Sequence, residues 1–148
     1  MVWAGVSMNS RTPLVIIPGT LTAETYVTEI LEPHVLPMRR RMDNRFILMQ
    51  DNARPHTARR TRNFLDANNV VTLNHPPMSP DLNPIEHVWD MLGRRLRRDY
   101  PRLQNFRQLT QALLQTWRGI PQRDIQRCIN MRDRLESVIS NRGGNTRF

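Results

Sequence analysis

Two isolated carboxylates, Asp51 and Glu86, have the type and setting to do chemistry in this chain. Asp51 ends the apolar run Phe46-Ile47-Leu48-Met49 in "RFILMQDNARPH", and Glu86 follows in "SPDLNPIEHVWD". Carboxylate oxygens are the ligands that magnesium and manganese prefer, and phosphoryl chemistry uses such ions beside the scissile phosphate. Each acid also has a structural reading. Glu86 stands three residues after Asn83, the spacing of a capping box. Asp51 can close a local turn with Asn52. His56 has three readings: it orients a ligand, hydrogen-bonds a phosphate, or caps a helix beginning near Thr57.

The surrounding pattern says which elements must carry these residues. "MVWAGVSM" and "TPLVIIPG" predict two strands, with Arg11 and Thr12 in the turn between them and Pro18-Gly19 closing the second. Residues 22–41 predict a helix capped by Thr22, with Tyr26, Val27, Ile30 and Leu31 at helical spacing. Pro33 and Pro37 leave one helix or two shorter pieces equally open. "RFILMQ" predicts a strand buried on both faces. A helix follows over 57–68, with Ala58, Thr61, Phe64 and Leu65 inward, arginines outward and Asn68-Asn69 at its end. "VVTLN" then supplies another strand. Strand, helix, strand within thirty residues makes a crossover with parallel strands. Ligands of open α/β sheets bind beyond the carboxyl ends of such strands, where Asp51 falls.

Residues 74–84, rich in proline, predict a stiff loop. A helix beginning at Asn83-Pro84 then carries Ile85, Val88, Trp89, Leu92 and Leu96 as its apolar stripe. A helix N-terminus favours an ionised carboxylate, which suits Glu86 as a ligand. Two further helices are expected: 106–118 through Phe106, Leu109, Leu113 and Trp117, and about 121–140 through Ile125, Ile129, Leu135 and Val138, ended near Gly143-Gly144. Trp89 and Trp117 lie on apolar stripes and are expected in the core.

The length suits one domain with a real core. The formal charge is +9, and all 22 basic residues are arginine. Residues 1–38 carry a net −2 and residues 39–148 a net +11. Arginine suits bidentate phosphate contact, so a nucleic-acid partner is one reading; a coding bias against lysine is the other. The candidate DNA contacts are Arg59, Arg60 and Arg62, with Arg94, Arg95, Arg97 and Arg98, against the plainer reading of a solvated face balanced by Asp90 and Asp99. A single cysteine, Cys128, excludes an internal disulfide framework and fits a reducing compartment. No apolar run approaches the ~18 residues of a membrane span, and no secretory leader is visible. An intracellular protein without a membrane partner is therefore expected.

At the required spacing, "QDNARPHTA" and "SPDLNPIEHVWD" together resemble the catalytic domain of mariner-type cut-and-paste DNA transposases of the DDE superfamily. "MVWAGVS", "PGTLTAETYVTEIL" and "INMRDRLESVISNRGGNTRF" resemble the same family, so the likeness runs the length of the chain. It implies an α/β, ribonuclease-H-like fold and a metal site of three acids, Asp, Asp and Glu. Asp51 matches the second and Glu86 the third, with Asn52 and His56 as active-site neighbours. The first belongs on the first, central strand of the sheet, and no residue here matches it. The expectation is a truncated domain: a small mixed sheet lacking that strand over 1–74, then the Glu-bearing helix and C-terminal helices over 75–148. The strands at 1–7 and 45–50 would then each show an open edge.

The resemblance further implies Mg2+ or Mn2+, held weakly by two acids, with DNA as substrate and the nucleus as location. Arg39-Arg40-Arg41 is too short to be a localisation signal. The family's N-terminal DNA-reading region is also without a match, and the chain by itself is expected neither to cleave nor to join DNA. Three functions compete. The chain is the later part of a transposase read from an internal methionine, or a silent module that binds DNA or inhibits intact transposase, as a homodimer or with the full-length protein. An unrelated basic nucleic-acid-binding protein is the third, and the paired motifs disfavour it.

Overall fold

The computed structural model describes residues 1–42, 46–73 and 83–130. These form two compact units. The first comprises Met1–Gly5 and the described part of Val15–Ser79, the second Val6–Leu14 and the described part of Pro80–Phe148.

In the first unit, β1 (Val2–Trp3) pairs antiparallel with β2 (Val15–Ile16), in the register Val2↔Ile16 and Trp3↔Val15. The chain leaves β2 through Gly19, whose φ of 77° lies in the left-handed region that glycine tolerates. One helical run follows. It is α-helical over Ala23–Tyr26 (α1), π-wound over Val27–Val35 and α-helical over Leu36–Met42 (α2). Thr22 caps it as its residue type predicts: its hydroxyl accepts from the Thr25 N–H, and the Thr25 hydroxyl accepts from the Thr22 N–H. Pro33 therefore does not break the helix. A proline lacks a donor and crowds the carbonyl four residues back, and here it sits inside the wider π turn, where the Leu36 N–H reaches back to the Leu31 carbonyl.

The crossover has the expected form. β3 (Ile47–Met49), α4 (Arg59–Ala67) and β4 (Val71–Leu73) follow in order, and β3 and β4 pair in parallel, Ile47 opposite Val71 and Met49 opposite Leu73. Between β3 and α4, residues Arg54–Thr57 form a separate short turn of helix, α3, so the helix predicted over 57–68 begins two residues later than expected. Ala58, extended at φ −62° and ψ 147°, makes the break. Asn69, at φ 51°, ends α4 in the left-handed conformation that asparagine accepts.

Ile17, Leu21, Tyr26, Val27, Ile30, Leu31, Val35, Leu65 and Val70 form the core of this unit, and both strand pairs send residues onto it: Trp3 and Val15 from one, Leu48 from the other. Two expectations need correction. The strands form two separate two-stranded sheets rather than one mixed sheet, so among the described residues β1 and β3 each have one neighbour. β3 is also not buried on both faces. Leu48 packs inward, whereas Ile47 is 57% and its partner Val71 61% exposed, because alternate strand residues point to opposite faces and only one face meets the core.

In the second unit, Val6 bridges Arg11 across a turn in which the Ser7 N–H donates to the Ser10 carbonyl. Arg11 is therefore in the ladder and not in the turn. α5 (Pro84–Asp99) starts with proline at the first position, and α6 (Phe106–Gly119) is capped by the Asn105 side chain, which accepts from the Gln108 N–H. α7 (Gln122–Ile129) follows. Val88, Leu92, Ala112, Trp117, Ile120 and Ile125 are buried. Trp117 is a core residue as predicted: its indole N–H donates to the Thr12 carbonyl at 3.0 Å, and its ring lies 5.6 Å from that of Trp89. Phe106 departs from its predicted stripe and is 67% exposed, because it occupies the first position of α6. The loop predicted at 74–84 falls outside the described residues except for 83 and 84. The expected continuation of the last helix to 140 and the Gly143-Gly144 stop also lie outside them.

Candidate metal centre

Asp51 stands two residues beyond the end of β3, at the carboxyl edge of a parallel strand pair, and its side chain is 53% exposed. Two groups hold it. The Ala53 N–H donates to Oδ1 at 3.0 Å, which is the local turn expected of an aspartate ending a strand. The His56 ring meets the same oxygen, Nδ1 to Oδ1 at 2.6 Å. A carboxylate only accepts, so Nδ1 carries the proton in this pair and Nε2 is the other face of the ring. Both bonds fall on Oδ1, and neither uses Oδ2.

The imidazole is itself held. α3 places it by main-chain bonds: the His56 and Thr57 N–H groups both donate to the Ala53 carbonyl. The buried Thr61 hydroxyl, on α4, donates to the Pro55 carbonyl. The ring then packs on Tyr26, with centroids 4.4 Å apart and planes tilted by 41°. Tyr26 is 1% exposed, and its hydroxyl donates to Gln50 Oε1 at 2.7 Å, one residue before Asp51. Burial first, and the Asp51 charge second, push the Tyr26 hydroxyl pKa well above that of an ordinary tyrosine. Of the three sequence readings of His56, the structure shows it orienting a carboxylate; the helix-cap reading fails because Ala58 precedes α4. Tyr26 and Gln50 carried no sequence signal of a site. Tyr26 reads there only as one apolar position among several.

Glu86 belongs to the second unit. It is the third residue of α5, is exposed, and its N–H donates to the Asn83 carbonyl. The Asn83 side chain makes no capping bond, so the reciprocal capping box is not closed. Asn52 is exposed beside Asp51. Among the described residues no three His, Cys, Asp or Glu side chains cluster to hold a metal. The donors present nevertheless suit magnesium in kind, since that ion is typically held by one or two carboxylates together with phosphate oxygens and water.

The seven candidate arginines divide. Arg60 pairs with Glu24 at 2.6 Å, Arg94 with Asp90 at 2.8 Å and Arg98 with Asp99 at 2.6 Å. Arg95 is the least exposed: it bonds Asp124 on α7 at 2.7 Å and the Gly119 carbonyl at 3.2 Å. The Arg97 guanidinium lies back towards Gly93. Arg59 and Arg62 are exposed on α4, with no carboxylate pairing among the described residues.

The family model described as DDE superfamily endonuclease matches residues 1–110. The transposable element Tcb1 transposase of Caenorhabditis briggsae is 35% identical over 150 residues, covering 100% of this chain and 54% of the relative. The chain spans about half the length of the curated relatives it matches. The solved Mos1 transposase catalytic domain with raltegravir and Mg superposes with a TM-score of 0.79 at 23% identity, over 98% of this chain and 75% of that one. The Mos1 transposase paired-end complex with left transposon end superposes with a TM-score of 0.70 at 25% identity, over 88% and 39%. The fold is thus the ribonuclease-H-like α/β fold that the motifs imply, as in the Mos1 catalytic domain.

Proposed function

The chain belongs to the DDE superfamily of endonucleases, and from that premise we propose that it is part of a cut-and-paste DNA transposase, in which Asp51 and Glu86 each serve as a carboxylate ligand for divalent metal in phosphodiester cleavage and strand transfer. The observation that carries this reading is the presentation of Asp51. It lies at the carboxyl end of β3, its Oδ1 is fixed by Ala53 and His56, and those bonds leave Oδ2 to a ligand.

When bound, magnesium or manganese polarises the attacking oxygen and stabilises the leaving one. The protein's own part is positional. His56 and the Ala53 N–H hold the Asp51 carboxylate in one rotamer, and the first turn of α5 carries Glu86. Arg59 and Arg62 contact DNA phosphates, a salt-sensitive interaction that carries no sequence information. The nucleus is the location we propose, on the ground of the family's DNA substrate alone.

Titration of the 148-residue chain with Mn2+ tests the ligands. Loss of a residue behind a metal ligand costs about 10–100-fold in affinity, so loss of a ligand itself should cost at least tenfold. Asp51→Asn and Glu86→Gln should each do so, while circular dichroism shows the fold retained. Binding by both variants at the level of the unsubstituted chain would remove the assignment.

A further inference from the structure

We propose that Tyr26 is a positioning residue for this site, acting through His56, a role that rests on the reading of Asp51 as a metal ligand. Two contacts of its own and one made by His56 carry this. Its ring packs on the imidazole at 4.4 Å, its hydroxyl donates to Gln50 Oε1 at 2.7 Å, and His56 Nδ1 meets Asp51 Oδ1 at 2.6 Å. Tyr26 is 1% exposed and lies among Val27, Ile30 and Leu31 of the same core, so its ring is a fixed surface and not a mobile neighbour.

His56 stands on a helix of only four residues, which closes with an extended residue at Ala58. So short an element has little stability of its own. The imidazole therefore takes its orientation from what it packs against. With the ring seated on Tyr26, Nδ1 faces Oδ1, the carboxylate keeps one rotamer, and Oδ2 stays outside both bonds. The Gln50 bond ties the same tyrosine to the side chain of the residue preceding Asp51. One side chain from α1 thus fixes both the end of the strand and the group that orients its acid. Groups behind the ligands of a metal site commonly fix ligand tautomer and direction in this way.

The test uses the full chain with 15N-labelled histidine, observed at mildly alkaline pH. The unsubstituted protein should show the His56 proton on Nδ1 and an Overhauser contact between the two rings. Tyr26→Phe, which keeps the ring, should preserve the tautomer. Tyr26→Leu should give a mixture of tautomers. Mn2+ affinity should fall about tenfold in Tyr26→Leu and in His56→Ala, with no further loss in the double variant, since residues acting as one unit are not additive.

A His56 tautomer unchanged by Tyr26→Leu, or additive losses of affinity, would overturn the proposal. If the leucine variant does not fold, the ring contact and the phenylalanine variant decide: no contact, or a changed tautomer in Tyr26→Phe, overturns it. A tautomer lost in Tyr26→Leu in a chain that binds no Mn2+ would uphold the positioning role and overturn the metal assignment instead.

Discussion

Arg95 leaves α5 for two acceptors in its own unit, the Asp124 carboxylate on α7 and the Gly119 carbonyl at the end of α6. Its side chain is 26% exposed and that of Asp124 18%, so the pair is largely withdrawn from water. Hydrogen bonds to charged groups contribute about 1.5–3 kcal/mol. The full cost of stranding a buried charge, about 3–5 kcal/mol, does not apply here, because Arg127 at 3.7 Å and Arg123 at 3.9 Å remain near Asp124. Arg95→Ala should therefore destabilise the protein by about 1–2 kcal/mol. Arg94→Ala, which breaks a pair exposed at 69% and 58%, should cost less than about 0.5 kcal/mol. Urea denaturation followed by tryptophan fluorescence measures both, since Trp89 and Trp117 lie in the same unit. Binding of a DNA duplex across a salt series supplies the second readout. An Arg95→Ala chain of unchanged stability, whose log–log salt slope falls by about 1, would show that Arg95 contacts phosphate and that the reasoning from burial is wrong.

The remaining predictions use other features of the two units. The raised Tyr26 pKa means that the unfolded chain gives up this proton first as pH rises, so stability is complete below about pH 10 and falls above it, by up to about 1.4 kcal/mol per unit. Urea denaturation between about pH 9 and pH 11 should show a shallower fall for Tyr26→Phe than for the unsubstituted chain; parallel curves would refute this. Gly93 lies inside α5, and among the described residues a Cβ there would come no closer than 3.4 Å to a side chain, the nearest atom being at the flexible tip of Arg97. Gly93→Ala should thus stabilise by up to about 1 kcal/mol, read as a rise in the urea midpoint. Arg59→Ala with Arg62→Ala should lower the DNA salt slope by about 1.8 and leave the Mn2+ affinity unchanged.

The crossover of β3, α4 and β4 was legible because each part is written locally. A β-branched apolar run, a helical stripe through Thr61 and Leu65, and an asparagine able to turn left-handed all act within a few residues of themselves. The same holds for Thr22 as a cap, for Pro84 at the first position of α5, and for Trp117 on its buried face. The two acids were legible in another way, through residue types at a spacing that a known family shares. Pro33 was not legible, since a proline specifies a lost donor and a local crowding but not whether the helix breaks or widens around it. The outward face of β3 was not legible either, because a continuous apolar run reads the same whether one face or two are covered.

By itself, then, the sequence determined most of the elements, their order and the parallel crossover, because those depend on propensity, periodicity and capping between near neighbours, and it singled out the candidate acids through motifs shared with a known family. Only tertiary structure decided that Tyr26 meets His56, that Arg95 belongs to Asp124 while Arg59 and Arg62 remain exposed, and that Asp51 is held through one of its two oxygens. Tyr26 and Gln50 are 24 residues apart, and Arg95 and Asp124 are 29 apart. Pairs at such separations are chosen by close packing of side chains in three dimensions, and no local pattern encodes which partner each one finds.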